Sequence, residues 1–150
     1  MSLAGLIFNR VLVAGLIAWG LGQGIKVPLE YARTRHLNWA LLVSAGGMPS
    51  SHSALVVSTA LACGLFYGFD SAIFALAVAV AMVVTYDATN IRRQAGMHAQ
   101  KINLLINELF SGQPISEEQL KEVLGHTPLE VAGGVVLGLA CAVLTWFFWR

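Results

Sequence analysis

The sequence predicts an all-α fold, a polytopic membrane helix bundle with about four transmembrane helices and short interfacial helices between them. Composition is the first reason. Hydrophobic residues make up 57% of the 150 residues and charged residues only 11%, where a soluble domain carries roughly a quarter charged. The second reason is the spacing of the apolar stretches, Leu3 to Gly22, Ala54 to Phe69, Ser71 to Thr85 and Leu129 to Trp149. Each approaches the ~20 apolar residues a spanning helix needs. The whole chain, 1–150, reads as a single integral-membrane domain, with no internal repeat or low-complexity segment.

In chain order, Asn9 and Arg10 interrupt the first apolar stretch, and no small-residue cleavage site follows it. A cleavable signal peptide is therefore not expected. Gln23 to Trp39 is mixed in polarity, and Leu29, Ala32 and Leu37 with Arg33 and Arg35 suggest a short interfacial helix. Leu37 to Ser44 is expected to dip into the membrane, which irregular backbone does only where protein or a polar cavity surrounds it. The second and third apolar stretches, joined by Gly68-Phe69-Asp70, form a tight helical hairpin with Asp70 capping the second arm.

From Asp87 to Gly125 the chain turns polar, with Ile91, Ala95, Ile102, Leu105 and Leu109 at the spacing of an amphipathic surface helix. Ser116-Glu117-Glu118-Gln119 is a capping box that starts a second small helix, ended by Gly125. Thr127-Pro128-Leu129-Glu130 is another capping box, with Pro128 at the first helical position. Gly64 with Gly68 and Gly134 with Gly138 have the small-xxx-small spacing of close helix contacts, within the bundle or in a homodimer.

The formal net charge of +1 gives no reason to expect a nucleic-acid partner, but charge placement is informative. Lys26, Arg33 and Arg35 follow the first stretch, and Arg92, Arg93, Lys101 and Lys121 lie between the third and fourth. An even number of spans puts these on one side, with Arg10 and Arg150 near the other. The positive-inside rule makes the first side cytoplasmic. Cys63 and Cys141 sit in apolar segments without CxxC spacing and read as packing residues.

Chemistry concentrates at Gly46-Gly47-Met48-Pro49-Ser50-Ser51-His52-Ser53-Ala54. Small residues allow a tight turn, and a helix N-terminus offers free N–H groups with the positive end of its dipole, a setting for phosphate. Ser50 or Ser51 as a plain helix cap is the competing account. With four spans, the N-termini at Ser51 and Thr127 converge at the cytoplasmic face. Lys26, Arg33, Arg92 and Arg93 bring donors suited to a phosphate or diphosphate. His52, His98 and His126 and the acids Asp87 and Glu130 belong to the same face. Each has a simpler reading: juxtamembrane cations meet lipid headgroups, Asp87 pairs with Arg92 or Arg93, His98 is an interfacial residue, and His126 a connector.

The pattern resembles the type 2 phosphatidic acid phosphatase and vanadium haloperoxidase superfamily, whose elements are Lys-x6-Arg-Pro, Pro-Ser-Gly-His and Ser-Arg-x5-His-x3-Asp. Lys26 and Arg33 match the first, with Thr34 in place of proline. Pro49, Ser50 and His52 match the second, with Ser51 in place of glycine. Arg92 and His98 match the third, with Ile91 and Ile102 replacing serine and aspartate. Nearly the whole chain resembles the divergent PAP2 family, the small acid phosphatase/haloperoxidase-related membrane branch. Lys26-Val27-Pro28, Gly47 to Ala54, Asp87-Ala88, Arg92-Arg93 with Ala95-Gly96, and Leu124 to Pro128 with Glu130-Val131 carry that match.

The resemblance implies a histidine that attacks phosphorus to form a phosphohistidine, a second histidine that protonates the leaving oxygen, and a carboxylate that orients the nucleophile. Ile102 leaves His98 without that carboxylate, and along a continuous helix Asp87 lies about 16 Å from His98. His126, with Glu130 close in sequence, is the expected nucleophile, His98 the alternative, and His52 the general acid. Lys26, Arg33, Ser50, Ser51, Arg92 and Arg93 are the expected phosphate-binding residues. The expected activity is metal-independent and cofactor-free hydrolysis of a phospholipid or polyprenyl phosphate or diphosphate, at the cytoplasmic side of the plasma (inner) membrane. The rival expectation is a noncatalytic protein that binds anionic lipid or assembles a complex; haloperoxidase and transporter readings rank behind both.

Overall fold

The computed structural model describes residues 8–44, 46–109 and 125–149, with the side chains of 92, 93 and 107–109 excepted. The described residues form helices and no strands. They comprise α1 (Arg10–Thr34), a 3₁₀ turn (Trp39–Leu42), α2 (Ser51–Tyr67), α3 (Ala72–Thr89), α4 (Ile91–Leu109) and α5 (Pro128–Trp149). The capping box expected at Ser116 lies outside the described residues.

By length and hydropathy α1, α5 and the run Ala72–Ile106, which joins α3 to α4, are fit to cross a membrane. Apolar α2 has 17 residues, about 26 Å at 1.5 Å per residue, a little short of the ~30 Å hydrocarbon core.

α1 starts at Asn9, whose side chain accepts from the Leu12 amide at 3.1 Å. It runs unbroken to Thr34 and closes on Arg35 at φ 59. The separate interfacial helix expected after Gly22 is thus the last part of α1. The polarity change that suggested a boundary has another cause: Gln23 and Lys26 are buried by neighbouring chain, and a Cβ at Gly22 would sit 3.0 Å from Ser51 Cα. The segment before the glycines contains the 3₁₀ turn, capped by Asn38.

The α2–α3 hairpin forms as expected, but Ser71, not Asp70, caps α3. Its hydroxyl accepts from the Phe74 amide at 3.3 Å and donates to the Gly68 carbonyl at 2.7 Å. Ser71 directly precedes the first helical residue, which is where a cap must stand to reach a first-turn amide. Gly68 has φ 96, so it turns the chain and does not form the second half of a helix-contact motif.

α2 is the centre of the bundle, packed by α1, α3 and α5. The contacts are made by small residues: Ala14, Ala62 and Ala142 in one cluster, Ala18, Ala54 and Cys141 in another. Gly134 lies against the Ser50 carbonyl and Gly138 against the Ala54 carbonyl, so this pair serves packing inside the bundle. Ser58 Oγ donates to the Ala14 carbonyl at 3.0 Å, a polar tie between α2 and α1. Small residues permit close backbone approach where apolar burial alone gives no drive between helices. Large side chains such as Leu76, Val83, Val136 and Phe148 point outward. On α4, Ile91, Ala95, Ile102 and Leu105 are exposed while Gly96 and Asn103 are buried, so its apolar face turns away from the bundle.

Candidate phosphate site at the meeting of two helix N-termini

Three ties gather one end of the bundle. The Ser50 amide donates to the Glu130 carbonyl at 2.9 Å, joining the start of α2 to the first turn of α5. The His126 amide donates to the Ala88 carbonyl at 3.1 Å, joining the approach to α5 to the end of α3. Gly22 brings α1 against Ser51. At the opposite end Arg10 lies over the Phe66 ring, 5.4 Å from its centroid.

At the start of α2, a cis Met48–Pro49 bond leads into Ser50, the N-cap. Its hydroxyl accepts from the Ser53 amide at 3.3 Å and lies 2.9 Å from Ser53 Oγ. Ser50 is therefore engaged by the fold at both its amide and its hydroxyl. Ser51 is fully buried and its Oγ has no hydrogen-bond partner among the described residues. The Ser51 amide falls in the first turn, where helix geometry supplies no acceptor. His52 is half-buried on that turn.

At the start of α5 the expected capping box forms reciprocally. The Glu130 amide donates to Thr127 Oγ1 at 3.3 Å, and the Thr127 amide donates to Glu130 Oε2 at 3.0 Å. The same carboxylate oxygen lies 3.0 Å from His126 Nδ1. With an ionised carboxylate, which only accepts, Nδ1 is the donor of this bond. His126 is 5% exposed, and its buried Nε2 has no hydrogen-bond partner among the described residues. The box thus orients a buried imidazole through Nδ1.

Lys26 comes from the far half of α1 and is 1% exposed. Its Nζ donates to the Ser44 carbonyl at 3.2 Å, and the Glu130 carboxylate is close enough to act on it electrostatically. A turn earlier, Gln23 Nε2 donates to the Leu42 carbonyl at 2.8 Å, while its buried Oε1 has no hydrogen-bond partner among the described residues. Together these side chains hold the 39–47 segment against α1. Gly47, at φ 90, lets that segment fold over the Lys26 stem. Arg33 and Glu30 share a small polar recess with Lys26, Leu41, Gly47 and Met48. Thr34, where the wider superfamily has proline, turns its hydroxyl back to the Glu30 carbonyl at 2.9 Å.

Lys26, Ser50, Ser51, His126 and Glu130 therefore meet at one junction, with His52 and Arg33 at its margin. His98 is exposed on α4. Asp87 is half-buried near the end of α3, and a break at Asn90 separates it from His98, so the continuous helix assumed from sequence is absent. The Arg92 and Arg93 side chains lie outside those described. Sequence reasoning missed Gln23 and the Leu42, Ser44 and Ala88 carbonyls. Gln23, one turn before Lys26 in an apolar run, was the available signal; nothing in a sequence marks a particular carbonyl. Among the described residues no three His, Cys, Asp or Glu side chains gather as metal ligands. The donors present suit an anion.

The sequence model described as "Divergent PAP2 family" matches residues 7–141. The chain is also 40% identical over 155 residues to a protein of Bacillus subtilis (strain 168) called "Uncharacterized membrane protein YuiD", covering 95% of this chain and 98% of that one. No solved structure matches.

Proposed function

The chain belongs to the Divergent PAP2 family, and from that membership together with the His126–Glu130 geometry we propose that it is a membrane lipid phosphatase. The substrate is a lipid-linked phosphate or diphosphate, and the site faces the cytoplasm at the plasma (inner) membrane. The observation that carries this reading is a buried imidazole with Nδ1 held by a carboxylate and Nε2 without a hydrogen-bond partner among the described residues. It stands where two helix N-termini and a buried lysine meet.

In the proposed reaction, His126 Nε2 attacks phosphorus and the bond to the leaving oxygen breaks, with that oxygen taking a proton from His52. Water then attacks the phosphohistidine, giving its proton to His52, and phosphate leaves with Nε2 restored. Glu130 balances positive charge on the ring. Lys26, Arg33 and the first-turn amides of α2 stabilise the equatorial oxygens of the transferring group. Arg92 and Arg93 are assigned to the same task. Arg33 and Arg35 at this end against Arg10 at the other support the reading that it faces the cytoplasm.

A specific observation favours the second reading, a noncatalytic anionic-lipid-binding protein. His126 Nε2 is closed off, and Ser50 already serves the fold. The two readings separate in one experiment, with purified protein given phosphatidic acid, phosphatidylglycerol phosphate or polyprenyl diphosphate, with and without chelator. Phosphate release that survives chelator and is lost in His126→Ala and His52→Ala supports the phosphatase. Protection by vanadate against thermal unfolding without release from any substrate supports the binding protein.

A further inference from the structure

Residues 38–44, which carry the 3₁₀ turn, form a strap across the far half of α1. Among the described helices the turn packs on α1 alone. Its attachment is small. Gln23 Nε2 donates to the Leu42 carbonyl at 2.8 Å, Lys26 Nζ donates to the Ser44 carbonyl at 3.2 Å, and Leu41 is half-buried beneath it. The Ser44 hydroxyl bonds only within the strap and its continuation, to the Leu41 and Gly46 carbonyls. Trp39, Leu42 and Val43 are exposed. The strap hangs between two left-handed positions, Arg35 at φ 59 and Gly47 at φ 90.

Under it, Lys26, Glu30, Arg33, Leu41, Gly47 and Met48 line a cavity of about 30 Å³. A buried water needs roughly 10–15 Å³ of such space, so the cavity has room for about two waters and not for the four oxygens of a phosphate. Yet Lys26 and Arg33 are the cations that the phosphate reading brings to one anion. Lys26 is 1% exposed with its ammonium on the Ser44 carbonyl, so an anion has no way to Nζ while the strap is down. A phosphate oxygen carries a charge that a carbonyl lacks, and the ammonium gains by the exchange.

We propose that residues 38–44 are a lid on the Lys26 recess, which lifts from α1 as Lys26 exchanges the Ser44 carbonyl for an oxygen of the bound anion. The lid rests on the phosphate reading of the junction and supplies its gate. Arg35 and Gly47 are its hinges, end-of-element positions of the kind that absorb backbone rotation. Gln23 is its latch, since the anion replaces the Lys26 bond and not this one. The rest of the bundle stays closed when the lid lifts, because the turn rests on α1 alone. Trp39, Leu42 and Val43 suit the headgroup layer in which tryptophan is at home, so the lifted lid keeps apolar surroundings.

The test uses the full chain in lipid nanodiscs with orthovanadate as the anion. Spin labels are placed at Val43→Cys and, at the opposite end of the bundle, at Tyr67→Cys, and their separation is read by pulsed dipolar spectroscopy. Both positions are exposed, while the native Cys63 and Cys141 are buried. Vanadate should add a second Val43–Tyr67 distance. Gln23→Leu, which cuts the latch, should populate that distance without vanadate and tighten vanadate binding in a Tm titration by roughly two- to tenfold, the population change that one net hydrogen bond gives. Leu41→Ala loosens the same strap from another contact and should act in the same direction. A purely structural Gln23 would lower Tm without tightening binding. Vanadate binding with a single unchanged distance, or folded Gln23→Leu and Leu41→Ala proteins that bind no more tightly than wild type, overturns the lid and leaves the phosphate site standing. No vanadate binding by wild type or by either loosened variant removes the anion site and the lid with it.

Discussion

Replacing Glu130 by glutamine changes one charge and one donor while keeping the shape, so its effect can be worked from the geometry. Oε2 accepts from the Thr127 amide and from His126 Nδ1, each at 3.0 Å. Hydrogen bonds to a charged group contribute ~1.5–3 kcal/mol and neutral ones ~0.5–1.5, so neutralising the acceptor weakens each by about 1 kcal/mol. Glu130→Gln should therefore destabilise the protein by about 2 kcal/mol, or roughly 4–8 °C in Tm by soluble-domain scaling. The second consequence is sharper. If the new amide N–H₂ turns toward the ring, Nδ1 must accept and the proton moves to Nε2. A catalytic histidine in the wrong tautomer loses up to ~10⁴-fold in rate. The tautomer is read directly by ¹⁵N NMR of histidine-labelled protein in micelles. Wild type should carry the proton on Nδ1, and Glu130→Gln should shift population to the Nε2–H form, with phosphate release falling at least ~10²-fold. An Nε2–H ring already in wild type, or a folded Glu130→Gln protein with wild-type release, would refute the assignment of Nε2 as nucleophile.

Other expectations follow from neighbouring contacts. Gly134→Val places a side chain against the Ser50 carbonyl and should cost ~1–3 kcal/mol as overpacking. Gly24→Val, with nothing within 4 Å, is the control, and thermal unfolding compares the two. Ser58→Ala removes the bond to the Ala14 carbonyl and should cost about 0.6 kcal/mol, the usual worth of such a bond between membrane helices, as a small lowering of Tm. Lys26→Met should weaken phosphate or vanadate protection at least tenfold, the share expected of ~1.5–3 kcal/mol from a charged donor, measured by ligand-dependent Tm. His98→Ala should leave phosphate release within about twofold while His126→Ala abolishes it; the reverse result transfers the nucleophile to His98.

The parts of this site that were legible in the sequence are those whose cause is local. Thr127 and Glu130 announced a helix start because a capping box is a contact between residues of one turn, and His126 acquired an orienting carboxylate from the same short stretch. The helical periodicity of Ile91, Ala95, Ile102 and Leu105 gave α4 as an amphipathic helix, and these residues lie exposed on it. Errors fell where tertiary packing overrode a local signal. Gly22 resembled the end of a helix but marks the place where α1 closes on Ser51. Asp70 resembled a cap, yet Ser71 was one residue better placed. Asp87 and His98 were measured along one helix that breaks at Asn90.

Least legible was the site's dependence on backbone. The Ser44 carbonyl holds Lys26, the Glu130 carbonyl receives the Ser50 amide, and the Ala88 carbonyl receives the His126 amide. Every residue has a carbonyl, so no motif reports which one is used. Yet these bonds bring an α5 carboxylate beside an α1 ammonium and an α2 N-terminus, residues separated by much of the chain. The side chains alone would make a list of phosphate-compatible groups. On the proposed reading the ties between helix ends make them a site, since each loosened tie would move a whole N-terminus, with its dipole and its donors, away from the anion. Gly134 and Gly138 would then matter to phosphate recognition as much as Lys26: by letting α5 lie directly on the Ser50 and Ala54 carbonyls, they set how closely the two helix ends converge.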